Sequence, residues 1–417
     1  MNDKPMRKRR ILLLLIFLLA VALRVAWALA QPPDLNYPDS VGYDMVARNF
    51  LATGDLVQGE STKISRVPVY PLYLSACYKL FGEGNYVFPR VIQAVLGSVL
   101  CLVVYELARP LLGARVALLA ALGAAVYPFF IFYSALLLTE TFFTLALAIF
   151  LWLILSLERL PDQPLLAKAA VAGLLAGATV LLKPSFLLFL PFLAALWLLV
   201  SKRPARALGA LLAIALCTAF VMTPWVVRNW TLTERFVPTT LTVGISLYEG
   251  VHPMADGGPS MDRMPREVYG VSEYEQDRLY RQLAVDIIRT EPRRILTLAG
   301  VKFLRFWNVV PNSPAHQDFK YRLLSVASLV PILCFACIGV VKAPLPVGQR
   351  LLLLSPAIYF TLLHMLFVSS IRYRDPVMPF VIIFAAGGLL MLLGARPQDD
   401  LALEARERDL ARAGDPG

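Results

Sequence analysis

The sequence predicts an all-α polytopic membrane protein, and three observations carry that prediction. The chain is 58% hydrophobic and only 17% charged, against about 45–50% and about 25% in soluble domains. Apolar stretches of about 20 residues, the length of a membrane-crossing helix, recur along it. Basic residues gather on alternate connecting loops. Together these exclude a disordered chain and argue against a compact soluble enzyme. The formal charge of +11 resembles a nucleic-acid-binding balance only until its positions are read. The five cysteines are odd in number and lack paired spacing, so no disulfide framework is expected. Cys334 and Cys337 form a C-x-x-C inside an uncharged run, where buried apolar cysteines are expected rather than a metal or redox site.

The apolar runs are justified in order. Residues 11–30 carry one charge, Arg24, and 89–108 carry only Arg90 and Glu106 at their ends. Residues 116–157 hold Glu140 alone and are long enough for two spans. Residues 169–200 hold Lys183 alone, and Lys183-Pro184 reads as a tight reversal between two more. Runs 207–227, 323–341 and 377–394 have no formal charge, and 351–371 contains only His364. The total is about ten transmembrane helices. The run 1–30 exceeds the 7–15-residue core of a secretory signal, so a retained anchor is expected.

Orientation follows from the loops. With the N-terminus cytoplasmic, the inside segments hold Lys4, Arg7, Lys8, Arg9, Arg10, Arg109, Arg115, Arg159, Lys168, Lys202, Arg203, Arg206, Lys342 and Arg350. The short outside turns hold Lys183 only. Both termini are therefore expected in the cytoplasm, and the basic excess marks topology rather than nucleic-acid binding. The organisation is a transmembrane core, 1–227, containing a first outside loop at 31–88; an outside region, 228–322; C-terminal helices, 323–394; and a cytoplasmic tail, 395–417. Within the outside region Ser272-x-x-Glu275 is a capping box. Residues 293–307 mix apolar positions with Arg293, Arg294, Lys302 and Arg305, the pattern of a helix lying in the membrane interface.

The chemistry-bearing residues fall in these outside segments. In the first loop Asp39 follows Pro38 and opens a short helix ending at Gly54; Ser65-Arg66-Val67-Pro68-Val69-Tyr70-Pro71 comes next. A carboxylate at the membrane surface can deprotonate a hydroxyl, and an arginine in a Pro-bounded segment can hold a phosphate. On spacing alone, a helix cap is the commoner role for Asp39. Glu140, isolated in its apolar run, is costly enough to suggest function. Arg24 is expected to snorkel or pair internally, and His364 to be a satisfied core residue.

The order D-x-x-x-Y-x-x-x-A-R-x-x-L-x-x-G from Asp39, then R-x-P-x-Y-P from Arg66, resembles the GT-C glycosyltransferases that use polyprenyl-phosphate sugars. It is similar in particular to the family 39/83 group of protein mannosyltransferases, lipid A aminoarabinose transferases and bacterial relatives. Tyr127-Pro128, Leu138-Thr139-Glu140, Leu182-Lys183-Pro184-Ser185, Thr223-Pro224-Trp225 with Arg228-Asn229, Arg235-Phe236-Val237-Pro238, and the run from Arg372 through Arg374 to Phe380 extend the resemblance. It implies a GT-C type fold with interfacial helices in the first outside loop and a mixed second outside region. It implies transfer of a sugar from a polyprenyl phosphate to a lipid, glycan or protein acceptor on the outer face of the inner (plasma) membrane, with inversion. Asp39 is then the base and Arg66 the main donor-phosphate ligand. By the topology Lys183, Arg228, Arg372 and Arg374 also lie outside, in reach of the phosphate and acceptor cleft, with Lys183, Arg372 and Arg374 as further phosphate ligands. Interfacial anchoring is the commoner role for any single one of these four. Tyr43, Asp44, Tyr70, Glu140 and Arg228 are then substrate contacts. Three positions depart from the relatives: Ser40 where a second acid is common, Gly42 where aminoarabinose transferases have Arg, and Ser65 where they have an acid. No cofactor is expected, and no obligatory divalent metal, since no His/Cys/carboxylate cluster is visible. The competing reading is a multi-span lipid or glycan transporter or flippase, for which charges at mid-membrane and related halves are the signature; a scaffold without catalysis is a third.

Overall fold

The computed structural model describes residues 4–35, 37–159, 164–259, 268, 270–312, 317–395 and 401, and nearly all of the expected tail lies outside these. The described residues are helical throughout apart from connections; their one β pairing is an isolated bridge between Gly59 and Thr62. The first helix, α1 (Lys4–Leu29), is the apolar run beginning at Ile11. Leu14 and Leu15 remain more than half exposed on it, the outward leucine face that lipid would cover.

The first outside loop holds α2 (Pro38–Thr53) and α3 (Val69–Phe81). Pro38 starts α2 because proline is preset for the first helical position, and Gly54 ends it in the left-handed conformation. The cap is Tyr37, and Asp39 sits in the first turn without capping it. α4 (Val87–Leu112) returns across the bundle and α5 (Ala114–Val126) packs against it. α6 (Pro128–Ser134) follows a 51° bend at Tyr127-Pro128. The bend leaves the α5 carbonyls of Ala124 and Ala125 unpaired within their helix, and Arg24, fully buried, donates to both at 2.9 and 3.0 Å. Internal pairing, not snorkelling, accounts for that arginine.

α7 (Glu140–Arg159) starts on Glu140. α8 (Leu165–Val180) and α9 (Phe186–Val200) flank Lys183-Pro184, which makes the expected reversal. α10 (Pro204–Thr233) lies against α8 so closely that a Cβ at Gly173 would sit 2.6 Å from Ile214 O and one at Gly177 2.6 Å from Val221 Cβ. Only glycine allows this approach, the small-x-x-x-small device of membrane helices.

The second outside region contains α11 (Val243–Val251), α12 (Glu273–Thr290) and α13 (Pro292–Phe306). Ser272 caps α12: its Oγ accepts from Glu275 N at 3.3 Å, while the Glu275 carboxylate pairs with Arg278 instead of returning to the Ser272 backbone. On α13 the outward residues beyond Arg293 and Thr297 are apolar, with Leu296 and Leu304 at least 70% exposed. Lys302 is not on a basic edge; it points inward, donates to Leu366 O at 2.5 Å, and burial lowers its pKa to about 8. α14 (Phe319–Lys342), α15 (Val347–Leu366), the short α16 (Ile371–Arg374) and, after a 3-10 turn, α17 (Met378–Leu392) complete the bundle. Cys334 and Cys337 are exposed on α14, so the apolar surroundings inferred for them are lipid rather than protein core.

Among the described residues seven helices are long and apolar enough to cross a membrane, or eight counting the bent α5–α6 pair as one. Ten are not reached by that measure. α8 and α9 have 16 and 15 residues, about 24 and 22 Å of helix, short of a hydrocarbon core of about 30 Å. The residues that would lengthen them form the reversal that carries Lys183.

Candidate functional site

Five charged side chains meet where α2, α7, α16 and two connections converge. Arg66 Nη2 donates to Asp39 Oδ1 at 2.9 Å, and Arg372 Nη1 donates to Asp39 Oδ2 at 2.6 Å. Arg372 Nε also donates to Glu140 Oε1 at 2.5 Å, and Lys183 Nζ reaches the same oxygen at 3.0 Å. The result is an alternating chain, Arg66–Asp39–Arg372–Glu140–Lys183, of three cations and two carboxylates. Its neighbouring members Asp39 and Arg372 lie 333 residues apart in sequence, and the five are brought together because each lies at or beyond a helix terminus.

Burial divides the roles. Glu140 is fully buried beneath the chain, while the Asp39 side chain is 34% exposed and those of Arg66, Arg372 and Lys183 are 16–26% exposed. Solvent therefore reaches the excess positive charge and Asp39 but not Glu140. An isolated buried carboxylate is unfavourable, and here Lys183 and Arg372 compensate it. Burial alone would raise the pKa of Asp39; the Arg372 and Arg66 guanidiniums overcome it and hold the group down to about 2.

Local structure seats each member. Arg66 lies 5.0 Å over the Tyr43 ring and passes above Gly42, where an added Cβ would be 3.1 Å from its Nη2. Its loop is held by Glu273, whose carboxylate accepts from the backbone N of Lys63 and Ile64, and by Leu241 N donating to Ile64 O. Lys183 sits in the α8–α9 reversal, tied to the start of α3 by Val69 N donating to Leu181 O. Lys183 Nζ lies 5.6 Å from the Tyr373 ring, which stacks on His364 at 4.3 Å. His364 itself is satisfied by Val368 O at 2.7 Å. Behind Asp39 a small cavity is lined by Tyr37, Ser40, Arg90 and Leu136 among others.

Of the residues singled out by sequence, Asp39, Arg66, Lys183, Glu140 and Arg372 come together, with Tyr43 beneath Arg66. Arg374 does not join them. Two residues apart on one helical turn, Arg372 and Arg374 point to different sides; Arg374 is buried and donates to Phe306 O and Asn308 O. Arg228 donates to Leu56 O and Lys63 O, bracing the Arg66 loop. Asp44 accepts from Tyr78 and Arg48, locking α2 to α3. Tyr70 is fully buried, with its hydroxyl on Gln93 Oε1 at 2.9 Å. Gly42 stands out in sequence only as a departure from the relatives, not as the seat of Arg66, and Glu273 and Tyr373 carry no site signal of their own. Tyr373 adjoins Arg372 in sequence, but nothing local marks Glu273 as a brace 210 residues from its partner.

Residues 65–227 match the family model described as dolichyl-phosphate-mannose-protein mannosyltransferase. In structure, the chain superposes with a TM-score of 0.58 and 15% identity on the archaeal oligosaccharyltransferase AglB from Archaeoglobus fulgidus, solved with an inhibitory peptide and a dolichol-phosphate. That match covers 97% of this chain and 52% of the other. The chain has a GT-C fold. An Archaeoglobus fulgidus oligosaccharyltransferase complexed with Zn and sulfate gives 0.59 at 14% identity, covering 96% of this chain and 51% of that one. ArnT from Cupriavidus metallidurans bound to undecaprenyl phosphate gives 0.45 at 15% identity, covering 94% and 78%. The chain thus spans about half the length of the oligosaccharyltransferases it matches. No curated protein matches it in sequence. Among the described residues no group of three or more His, Cys, Asp and Glu is placed to hold a metal.

Proposed function

We propose that this membrane protein is a glycosyltransferase that moves a sugar from a polyprenyl-phosphate-linked donor to a hydroxyl of a lipid, glycan or protein acceptor. The observation that carries the reading is the alternating ion chain, open to solvent on its Asp39 side, with one positive charge in excess of its carboxylates. The family match over 65–227 and the dolichol-phosphate-bound oligosaccharyltransferase of the same fold support it. An acceptor oxygen attacks the anomeric carbon opposite the phosphate, the carbon–oxygen bond to phosphate breaks, and its electron pair stays on the phosphate. Asp39 takes the hydroxyl proton, and Arg66, Arg372 and Lys183 stabilise the phosphate. In-line attack inverts the anomeric centre.

Charge is conserved through the step. Three cations, two carboxylates and a donor monoanion sum to zero. After transfer Asp39 is neutral and the polyprenyl phosphate carries two negative charges, so the sum is again zero. The negative charge moves from Asp39 to the leaving phosphate without leaving the reach of the guanidiniums. Arg and Lys supply this compensation, so transfer needs no divalent metal. By the loop charges, the site faces the outer side of the inner membrane and both termini the cytoplasm. Proteoliposomes given labelled polyprenyl-phosphate sugars and membrane extract, with and without a chelator, test the reading. New covalent label on an acceptor, insensitive to chelator, is the expected result. Movement of intact lipid across the bilayer with no bond exchanged would identify a flippase instead.

A further inference from the structure

In the free site both oxygens of the Asp39 carboxylate are occupied: Oδ1 by Arg66 and Oδ2 by Arg372. A carboxylate held this way is a poor proton acceptor, because accepting a proton means giving up a charge-assisted hydrogen bond. The two arginines are also the half-exposed cations nearest to it, hence the groups an entering phosphate would engage. Arg372 is the more constrained, since its Nε stays anchored on buried Glu140 while Nη1 faces Asp39. It can therefore turn Nη1 to a phosphate without leaving its seat.

We propose that the donor phosphate switches on the base: on binding it draws Arg372 Nη1 and Arg66 Nη2 away from Asp39, so that Asp39 can accept a proton only in the donor-bound site. This rests on the glycosyltransferase reading above and adds an order to it. Donor binds first and acceptor activation follows, so an acceptor alone meets a clamped carboxylate and no adventitious deprotonation occurs. The groups facing Asp39 are Arg66 from the loop before α3, Arg372 and Tyr373 from α16, Tyr43 from its own helix, and Glu140 and Lys183 beyond Arg372. The guanidiniums are those in direct contact with it, so handing them over changes its proton affinity most.

The test uses the full chain in lipid nanodiscs with undecaprenyl phosphate as probe. Infrared difference spectra follow the protonated-carboxyl band, and Asp39→Asn assigns it. At a pH of about 4, roughly one Asp39 in a hundred is protonated in the free protein. Released from its arginines it would be about half protonated, an increase of about 50-fold in the band. Arg372→Gln should show part of that band without any lipid phosphate. Binding of the probe is measured separately by native mass spectrometry. If undecaprenyl phosphate binds and the band does not grow, the hand-over is overturned while the donor assignment stands. If it does not bind at all, the donor assignment fails and the hand-over fails with it.

Discussion

Gly42→Ala separates what the fold needs from what the site needs. Gly42 lies inside α2 with ordinary helical backbone, and the Cβ of alanine would meet Arg66 Nη2 at 3.1 Å and Nε at 3.3 Å. No backbone atom is in the way. The end of the Arg66 side chain must give by a few tenths of an ångström, which a long side chain does at little cost to the fold. Alanine is also favoured over glycine in a helix by about 0.8–1 kcal/mol, so stability should hold or rise.

The same displacement acts on the site. Arg66 is the cation proposed to hold the donor phosphate, and a hydrogen bond to a charged group contributes about 1.5–3 kcal/mol net. Loosening it without breaking it forfeits about 1 kcal/mol, which corresponds to about a fivefold change. Gly42→Ala should therefore lower kcat/KM for the donor by about 3–10-fold while the thermal unfolding midpoint in detergent stays level or increases. Full activity in the variant would show that the seat of Arg66 over Gly42 does not matter. A fall in the midpoint with no selective loss for the donor would instead make Gly42 a packing residue, refuting the argument from the other side.

Asp39→Asn should reduce transfer by about 10²–10⁴-fold, the usual worth of a general base, while circular dichroism remains that of the parent protein; near-parental turnover would remove Asp39 from the role. Arg66→Ala should raise donor KM more than acceptor KM in steady-state kinetics, because the excess positive charge falls on the phosphate side. Arg374→Ala should destabilise by about 2–4 kcal/mol through the orphaned carbonyls of Phe306 and Asn308, with the donor KM of the folded fraction unchanged; Arg372→Ala should show the reverse ranking. In pH profiles a base must be deprotonated, so activity is lost as pH falls. With Asp39 at about 2 in the free protein, its acid limb in donor kcat/KM should begin only below a pH of about 3. The acid limb of kcat should lie at higher pH, because in the donor-bound protein the arginines serve the phosphate.

The membrane architecture was legible because lipid imposes one rule over long stretches, and the runs led to the helices found. The span count was less legible. α8 and α9 look like spans by composition, yet the chain gives up helical length between them where Lys183 turns to Glu140. Asp39, Arg66, Glu140, Lys183 and Arg372 could each be noticed as a charge in an unfavourable or Pro-bounded setting, but none names its partner. Arg372 and Arg374 are equal in sequence; only the turn of α16 sends one to the carboxylates and the other into the core. The same limit applies to Lys302, which reads as an interfacial cation and is spent on the carbonyl of Leu366.

The placement of the charges distinguishes surface chemistry from transport. Asp39 and Glu140 both stand in the first turn of their helices, where the partial positive charge of the helix N-terminus favours an anion. Arg66 and Lys183 come from the connections before α3 and α9, and Arg372 from a single turn bracketed by Ser370 and the 3-10 segment. All five are thus at helix ends, where backbone dipoles, mutual pairing and access to water together lower the cost of charge. A transport path would require such groups part-way along spanning helices. Arg24, inside α1, is fully buried with its guanidinium on backbone carbonyls. It stabilises the α5–α6 bend, on whose far side the chain runs into Glu140. Arg24 thus holds a broken helix in place, while Asp39, Arg66, Glu140, Lys183 and Arg372 converge at helix ends, the arrangement that the proposed reading, a site that receives a phosphate and exchanges a bond, calls for.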